Sequence, residues 1–427
     1  MSTHSGFTPN VTQLPSGLTI VTAAAPHLAS ISLGLWMGVG GRHEPASWNG
    51  VAHFIEHMLF KGTTRRSPLA LSQAIEGIGG YLNAFTSEEH TCIFSKALHD
   101  RLPELLDVLM DMFLHSKFSP ADLKLERDVI KEELAMYLDE PQHHVQELIN
   151  ETLWPDHPLG RPLTGTVATL DGLQRADLRT FLQRNYVAAN TIIAAAGRLQ
   201  HQEVVCAVER YARHFPLGSR PSFQPVVNTQ TAPRTRLFTK DTAQTQMVLA
   251  FRTCSRHDKR RFALRLLNAL LGENMSSRLF QELREERGLA YNVQSSISFF
   301  EDVGTLDVSM GLDTDNVGAA LRLIRRELRR LRERAPGRAE LLRARDYVVG
   351  QMELSLENSE NHMNWLGEQW LGFGRLISPE TVKRQLAQVT AANLREVARD
   401  FFRSDRLNLA LVSPLKSMAS LERWLRI

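Results

Sequence analysis

Residues 30–62 read SISLGLWMGVGGRHEPASWNGVAHFIEHMLFKG, a pattern that predicts a strand followed by a helix. The first part, 30–41, is apolar, contains β-branched residues and is closed by glycines, as is typical of a buried strand. Asn49 is suited to be the N-cap of the stretch VAHFIEHMLF, which forms a short helical pattern that Gly62 ends. A helix with two histidines is therefore expected directly after a buried strand.

The order of elements repeats along the chain, although residue identity does not. The strand and helix at 30–62 are followed by extended residues at 81–98, two helical stretches, a strand at 191–196 and an amphipathic helix. Residues 216–233 then contain four prolines and no helical periodicity, which is typical of a linker. After this linker, strands and long helices begin again. The pattern predicts two similarly built α+β halves, with a first domain at 1–215, a linker at 216–234 and a second domain at 235–427.

The composition is that of a globular protein with more than one domain. The chain has 427 residues, 43% of them hydrophobic and 23% charged, and a net charge of +3 that names no acidic partner. Its apolar runs are too short to span a bilayer, so no membrane span is predicted. Three scattered cysteines suit a reducing compartment, and we expect them to be buried. The first ten residues, MSTHSGFTPN, lack the basic and apolar regions of a secretory signal, so a cytoplasmic location is predicted.

An arginine-rich stretch covers residues 322–345 and includes LRLIRRELRRLRERAPGR. It could form a nucleic-acid patch. The apolar residues within it, however, form one helical stripe, and no aromatic residues are interleaved for stacking on bases. We therefore interpret the stretch as a solvated helix face and predict no nucleic-acid partner.

The motif His53-Phe54-Ile55-Glu56-His57 carries the clearest chemistry. On a helix, His53 and His57 lie one turn apart on the same face, so both imidazoles can approach one metal ion. Glu56 lies on nearly that face, and its carboxylate can reach a water at the ion without being a ligand. Two imidazoles and a carboxylate are ligands that suit Zn²⁺. Because composition alone yields such a window in about one of twenty similar chains, the motif needs further support.

That support comes from a second, acidic helix with the sequence LERDVIKEEL. Glu126 and Glu133 are seven residues apart, which places them two turns apart on one face of this helix. One acid could supply the third metal ligand, and another could contact a ligand on the side that faces away from the metal. The spacing by itself leaves Glu126, Glu132 and Glu133 as candidates.

The sequence resembles the pitrilysin family of zinc peptidases, to which insulin-degrading enzyme and mitochondrial processing peptidase belong. The stretch HFIEHMLFKGT is followed by Glu133 within ERDVIKEE, 76 residues after His57. Further segments resemble the family in the same order: GVGGRHEPASWNGVAHFIEHMLFKGT, GGYLNAFTSEEHT, HPLGRPLTGT and SSRLFQELREERGLAYNV. The resemblance thus extends through most of the chain, and it implies two homologous α+β domains, each an antiparallel sheet packed with helices.

The resemblance also implies roles for individual residues. His53, His57 and Glu133 would be zinc ligands, Glu56 the general base and Glu126 the carboxylate behind the ligands. For the substrate, Asn83 and Ala84 would belong to a strand whose edge takes up the peptide, and Asn83 would bind the peptide backbone. Arg284 and Tyr291 would contact the substrate or the tetrahedral intermediate. Without the resemblance, these last two residues are more simply interpreted as a surface salt bridge and a packed tyrosine.

The function implied is that of a zinc metalloendopeptidase acting on extended oligopeptides or unfolded segments. Because larger family members fuse two halves of this size, the resemblance further implies a homodimer, or a heterodimer with a paralogue. The alternative is a non-catalytic structural or partner subunit, such as the respiratory-complex core proteins that resemble the family but have lost metal residues. The intact motif argues against this alternative. His143 and His144, which follow Pro141, are expected on a solvated loop.

Overall fold

Two β-sheets organise the chain, one in each of two compact units. The computed structural model describes residues 9–427, so most of the stretch MSTHSGFTPN lies outside the described residues. Unit 1 contains residues 9–134, 161–224 and 353–378, and unit 2 contains residues 135–160, 225–352 and 379–427. Each unit thus includes a segment from the other half of the sequence. The domain boundaries at 1–215, 216–234 and 235–427 stay a prediction about the two halves of the sequence.

The strands and helices are numbered in chain order. The strands are β1 Pro9–Gln13, β2 Thr19–Ala24, β3 Ser30–Met37, β4 Tyr81–Thr86, β5 Thr91–Leu98, β6 Thr191–Gly197, β7 Arg234–Thr239, β8 Thr245–Thr253, β9 Ala290–Phe299, β10 Gly304–Leu312 and β11 Leu407–Ser413. The helices are α1 Val51–Leu59, α2 Pro68–Glu76, α3 Leu102–His115, α4 Pro120–Asp139, α5 Pro141–Leu153, α6 Val167–Gly172, α7 Arg175–Asn185, α8 His201–Ala212, α9 Arg261–Asn268, α10 Val317–Glu333, α11 Arg338–Ser355, α12 Ser359–Phe373, α13 Pro379–Gln388 and α14 Ala391–Phe401.

The sheet of unit 1 has the strand order β1-β2-β6-β3-β5-β4. The β2–β6 pair is parallel and the other pairs are antiparallel. One face of the sheet packs its apolar side chains against helices that include α1 and α3. This burial fixes the position of α1, since Phe54, Ile55 and Met58 are fully buried on the side that faces the core. The opposite side of α1 is left for polar chemistry.

The other face of this sheet is covered by α12, which lies late in the sequence. Trp36 and Ala194 on the sheet pack with Met363 of the helix, and the Trp36 indole N–H donates to the Met363 sulfur at 3.2 Å. Gly367 permits this close approach, because a Cβ at that position would lie 2.4 Å from the Trp36 ring. The two-sided burial explains why β3 reads as a nearly continuous apolar run.

The sheet of unit 2 has the strand order β7-β11-β8-β10-β9, with a parallel β7–β11 pair and antiparallel pairs elsewhere. Its central strands β8 and β11 are also buried on both faces. Along β8, Met247, Leu249 and Phe251 point into the larger core, whereas Val248 and Ala250 pack under α5. The predicted α+β fold with two helix-packed sheets is confirmed, but each sheet is mixed rather than wholly antiparallel as predicted, because it contains one parallel pair.

The predictions for the two histidines after Pro141 and for one cysteine were wrong. His143 and His144 lie in α5 rather than on a loop, because Pro141 occupies the first turn, where a helix needs no proline N–H. His144 is buried, and its ring centroid lies 4.3 Å from that of Phe238. Among the cysteines, Cys206 is exposed on α8, whereas the other two are buried as expected.

None of the helices formed by residues 9–427 is both long enough and apolar enough to cross a membrane. This finding covers only the described residues, whereas the prediction of no membrane span was made for the whole chain. The predicted cytoplasmic location stays a prediction.

Candidate metal centre

The first turn of α1 is held by a buried acid. Gly50, rather than the predicted Asn49, is the N-cap, and its φ of 92° is a conformation that glycine adopts readily. The Glu44 side chain accepts hydrogen bonds from the backbone N–H groups of Gly50 and Ala52, both at 2.8 Å, and from the Asn49 amide at 3.1 Å. Glu44 therefore satisfies the free N–H groups at the start of the helix that bears both histidines.

His53 and His57 lie side by side on the polar face of α1, with ring centroids 4.6 Å apart. Glu133 approaches both of them from α4. Its Oε2 atom lies 3.8 Å from Nε2 of His53 and 3.5 Å from Nε2 of His57. One ligand atom from each of the three residues falls within 4.8 Å of the other two. The structure thus brings these three predicted ligands together.

The donor set fits a zinc ion. Two donors at about 2.1 Å from a tetrahedral ion lie roughly 3.4 Å apart, which is close to the two separations from Glu133. Two neutral imidazoles and one carboxylate are also a donor set used for zinc in proteins. Of the acids that the spacing left as candidates, Glu133 lies near both imidazoles, whereas Glu132 is exposed on α4.

Glu126 lies behind the cluster and orients one of its imidazoles. Its Oε2 is 3.1 Å from Nδ1 of His57, so the ring N–H can donate to the carboxylate. The other carboxylate oxygen is 2.6 Å from Nζ of Lys61. Glu126 is almost fully buried, with 4% of its surface exposed. The contact fixes the ring so that Nε2 of His57 points toward Glu133.

The electrostatic environment differs between the two histidines. Burial lowers the pKa of His53 to about 4, with the neighbouring His57 acting in the same direction, so this imidazole is neutral at physiological pH. Burial acts against the charged form of His57 too, but its hydrogen bonds with Glu133 and Glu126 raise its pKa overall. Burial also raises the pKa of Glu56, although the hydrogen bond from Thr86 lowers it in part. A neutral imidazole can donate its lone pair to a metal ion.

Glu56 lies next to an edge of the sheet. The Thr86 hydroxyl donates to its Oε2 at 2.6 Å. Thr86 ends β4, the last strand of the sheet, which pairs with β5 on one side only among the described strands. Along the same strand, the backbone N–H of Ala84 donates to Oδ1 of Asn83 at 2.8 Å, and the Asn83 side chain is exposed. The predicted base and the predicted peptide-binding strand are therefore neighbours.

Arg284 and Tyr291 lie together in unit 2. The Arg284 guanidinium carbon is 5.3 Å from the centroid of the Tyr291 ring, and both residues line a cavity of about 300 Å³. Amide side chains dominate the rest of the wall, among them Gln244 and Gln246. Tyr291 is 79% exposed, so it is not the packed core tyrosine of the simpler interpretation.

Sequence reasoning missed Glu44, Lys61 and Thr86, which support the site. A signal existed for Lys61, because it follows His57 by four residues and could have been placed near the same face. Glu44 and Thr86 lie in segments that meet α1 only in the folded chain. Their contacts could not be inferred from spacing along the sequence.

Comparison with known proteins is consistent with this geometry. Residues 19–167 match the family described as Insulinase (Peptidase family M16), and residues 172–348 match the one described as Peptidase M16 inactive domain. A protein of Mycobacterium tuberculosis named as an uncharacterized zinc protease is 37% identical over 426 residues, which are 99% of this chain and 97% of the relative. A Bacillus subtilis protein with the same description is 34% identical over 406 residues, 95% of this chain and 98% of the relative.

Solved structures support the fold. The structure of a protease from Helicobacter pylori has a TM-score of 0.90 at 21% identity and covers 96% of this chain and 100% of its own. A peptidase M16 inactive domain from Pseudomonas fluorescens has a TM-score of 0.88 at 19% identity, with 96% and 99% covered.

The predicted zinc cofactor agrees with the names of the sequence relatives. The two family matches together cover most of the sequence, and the relatives align over nearly its whole length. This chain therefore belongs to peptidase family M16, the insulinase family, in its half-length form.

Proposed function

We propose that this chain is a zinc metalloendopeptidase that hydrolyses peptide bonds in extended oligopeptides or unfolded segments. The observation that carries the proposal is the convergence of His53, His57 and Glu133, whose ligand atoms lie within 4.8 Å of one another. All three belong to the region that matches the insulinase family rather than the inactive domain. Relatives named as zinc proteases support the same reaction class.

The two imidazoles and Glu133 would hold the zinc. When bound there, zinc supplies Lewis-acid chemistry, since it polarises a peptide carbonyl and lowers the pKa of water to about 7. Glu56 accepts the proton of the attacking water and then delivers it to the leaving amine. Burial raises the pKa of Glu56, which makes this carboxylate a stronger proton acceptor. Thr86 holds this carboxylate in place through its hydroxyl.

The substrate would bind as an additional strand along β4. An edge strand offers unpaired backbone N–H and C=O groups to an extended peptide but not to a folded protein. Ala84 directs its N–H away from β5, where Asn83 Oδ1 accepts it. Asn83 would exchange this local bond for one to the substrate backbone. Since β4 ends at Thr86, a peptide bound there would run toward Glu56.

Arg284 and Tyr291 would stabilise negative charge on the substrate carbonyl during attack. Their contact and their exposure to the same cavity support a joint role. This proposal does not require Arg284 and Tyr291 to contact the metal ligands of the same chain. In a dimer, the metal ligands and the Arg284–Tyr291 pair of one site can come from different subunits.

Metal analysis combined with cleavage of a quenched fluorescent peptide tests the proposal, using wild type, Glu56→Gln and Glu132→Gln. We expect about one zinc per chain in all three proteins. Glu56→Gln should lose about 10²- to 10⁴-fold in turnover, because only the proton acceptor is removed. Glu132→Gln, an exposed change on α4, should retain wild-type turnover. Substantial turnover in zinc-loaded Glu56→Gln would contradict the role of Glu56, and metal-supplemented protein without zinc would contradict the metal centre.

We further propose a homodimer in which Arg284 and Tyr291 of one subunit act on peptide held at the metal centre of the other. The basis is chain length, since larger family members carry both residue sets in one chain about twice as long. A heterodimer with a paralogue is the alternative.

Subunit complementation tests this assembly. A mixed dimer of Glu56→Gln and Arg284→Ala subunits should recover part of the wild-type activity, because one of its sites would contain both intact sets. Each variant alone serves as the control. A verified mixed dimer without recovered activity would show that each site is built within one chain.

A further inference from the structure

Five arginines surround an open cavity of about 660 Å³ in unit 2. They are Arg325, Arg329, Arg332, Arg399 and Arg426. The first three lie on α10 at positions i, i+4 and i+7, so they share one helical face. Arg399 comes from α14, and Arg426 follows the last strand. The only acidic side chain on the wall of this cavity is Glu333.

The arginines on the neighbouring face of α10 are paired with acids, in contrast to most of the cavity arginines. Arg326 lies 2.6 Å from a carboxylate oxygen of Glu282, and Arg330 lies 2.8 Å from one of Glu327. On the cavity side, Arg329 is 3.7 Å from Glu333. Within residues 9–427, no carboxylate lies within ion-pair distance of the other four cavity arginines. The positive charge of this face is therefore largely uncompensated by the protein.

Hydrogen bonds to the backbone hold two of these side chains in place. Nε of Arg325 donates to the carbonyl of Arg426 at 2.5 Å, and Nε of Arg399 donates to the carbonyl of Arg332 at 2.8 Å. Nε of Arg332 is buried and has no hydrogen-bond partner among the described residues. A buried guanidinium N–H without an acceptor is unfavourable.

We propose that this cavity binds a compact polyphosphate anion. Like charges one helical turn apart repel each other, so the cluster is stabilised when an anion occupies it. Guanidinium groups form paired hydrogen bonds with phosphate oxygens, and five of them can serve several phosphates at once. The cavity wall has no aromatic side chain on which a nucleobase could stack, so recognition would depend on the phosphates alone. This site lies outside the proposed peptidase chemistry.

Isothermal titration calorimetry of the full-length protein with inorganic tripolyphosphate tests the proposal, because it measures both the affinity and the number of anions bound per chain. Four proteins are compared at low salt: wild type, Arg325→Gln, Arg332→Gln and Arg343→Gln. Arg343 is an exposed residue of α11 that does not line the cavity, and its variant loses the same charge. We expect one tripolyphosphate per wild-type chain, about tenfold or greater weakening in each cavity variant, and unchanged affinity in Arg343→Gln. Thermal unfolding of each variant checks that it remains folded.

Three outcomes would overturn the proposal. The first is a wild-type protein that does not bind tripolyphosphate at low salt. The second is equal weakening in Arg343→Gln, since binding would then follow net charge rather than the cavity. The third is binding of a single-stranded oligonucleotide but not of tripolyphosphate, which would identify a nucleic-acid surface instead.

Discussion

His57 is contacted by two acids of the same helix, one at each ring nitrogen. Glu126 reaches Nδ1 at 3.1 Å and Glu133 reaches Nε2 at 3.5 Å. Their seven-residue spacing places both on one face of α4, which the sequence predicted. The spacing alone could not assign their roles, because both acids face α1, and only the resemblance implied Glu133 as a ligand and Glu126 as its support.

Glu126→Gln should weaken zinc binding by about ten- to a hundredfold, because the amide holds the imidazole less well than the carboxylate and lowers the basicity of His57. Affinity is measured by competition with a chelator of known strength. Glu132→Gln is the matched control, since it removes an exposed acid from the same helix. Equal zinc affinity in Glu126→Gln and wild type would show that Glu126 does not support the metal centre.

The helix α1 depends on residues that precede it. The pattern of residues 51–60 predicted its existence and its polar face correctly, because six buried apolar residues set the opposite side. The start of the helix was predicted less well. Asn49 was chosen from its general preference for caps, whereas the structure uses Gly50 together with the Glu44 side chain.

Glu44→Ala should lower the free energy of unfolding by on the order of 3 kcal/mol, because it leaves buried N–H donors at the start of α1 without an acceptor. The change is measured by urea denaturation. Glu76→Ala, which removes an exposed acid at the end of α2, should change stability by less than about 0.5 kcal/mol. If both variants unfold at the same urea concentration, Glu44 does not hold the helix.

Helices α5 and α12 each pack on the sheet that belongs mainly to the other half of the sequence. The repeated order of elements predicted two sheets, since strand and helix patterns are local. It could not predict this exchange or the parallel pairs β2–β6 and β7–β11, because these contacts join residues that lie far apart in the sequence. Pattern and spacing describe neighbours along the chain only.

A fragment of residues 1–224 should therefore not form a stable fold. Without α12, it exposes Trp36, Ile192 and neighbouring apolar residues on one face of its sheet, and each large side chain contributes roughly 1.5–3 kcal/mol when buried. Near-ultraviolet circular dichroism and binding of an apolar dye report the loss of packing. The same fragment joined to residues 353–378 through a flexible linker should recover it. Cooperative unfolding of 1–224 alone, at the wild-type temperature, would contradict this and would favour the predicted contiguous domains.

The late position of α12 also affects how the protein is synthesised. After residue 224 has been added, the ribosome must translate 154 more residues before residue 378 completes unit 1. At 5–20 residues per second, this takes about 8–30 s. The nascent sheet holds its apolar face unprotected for that time, which is long compared with collapse of a chain of this size. We expect ribosome-associated chaperones to bind the nascent chain during that interval.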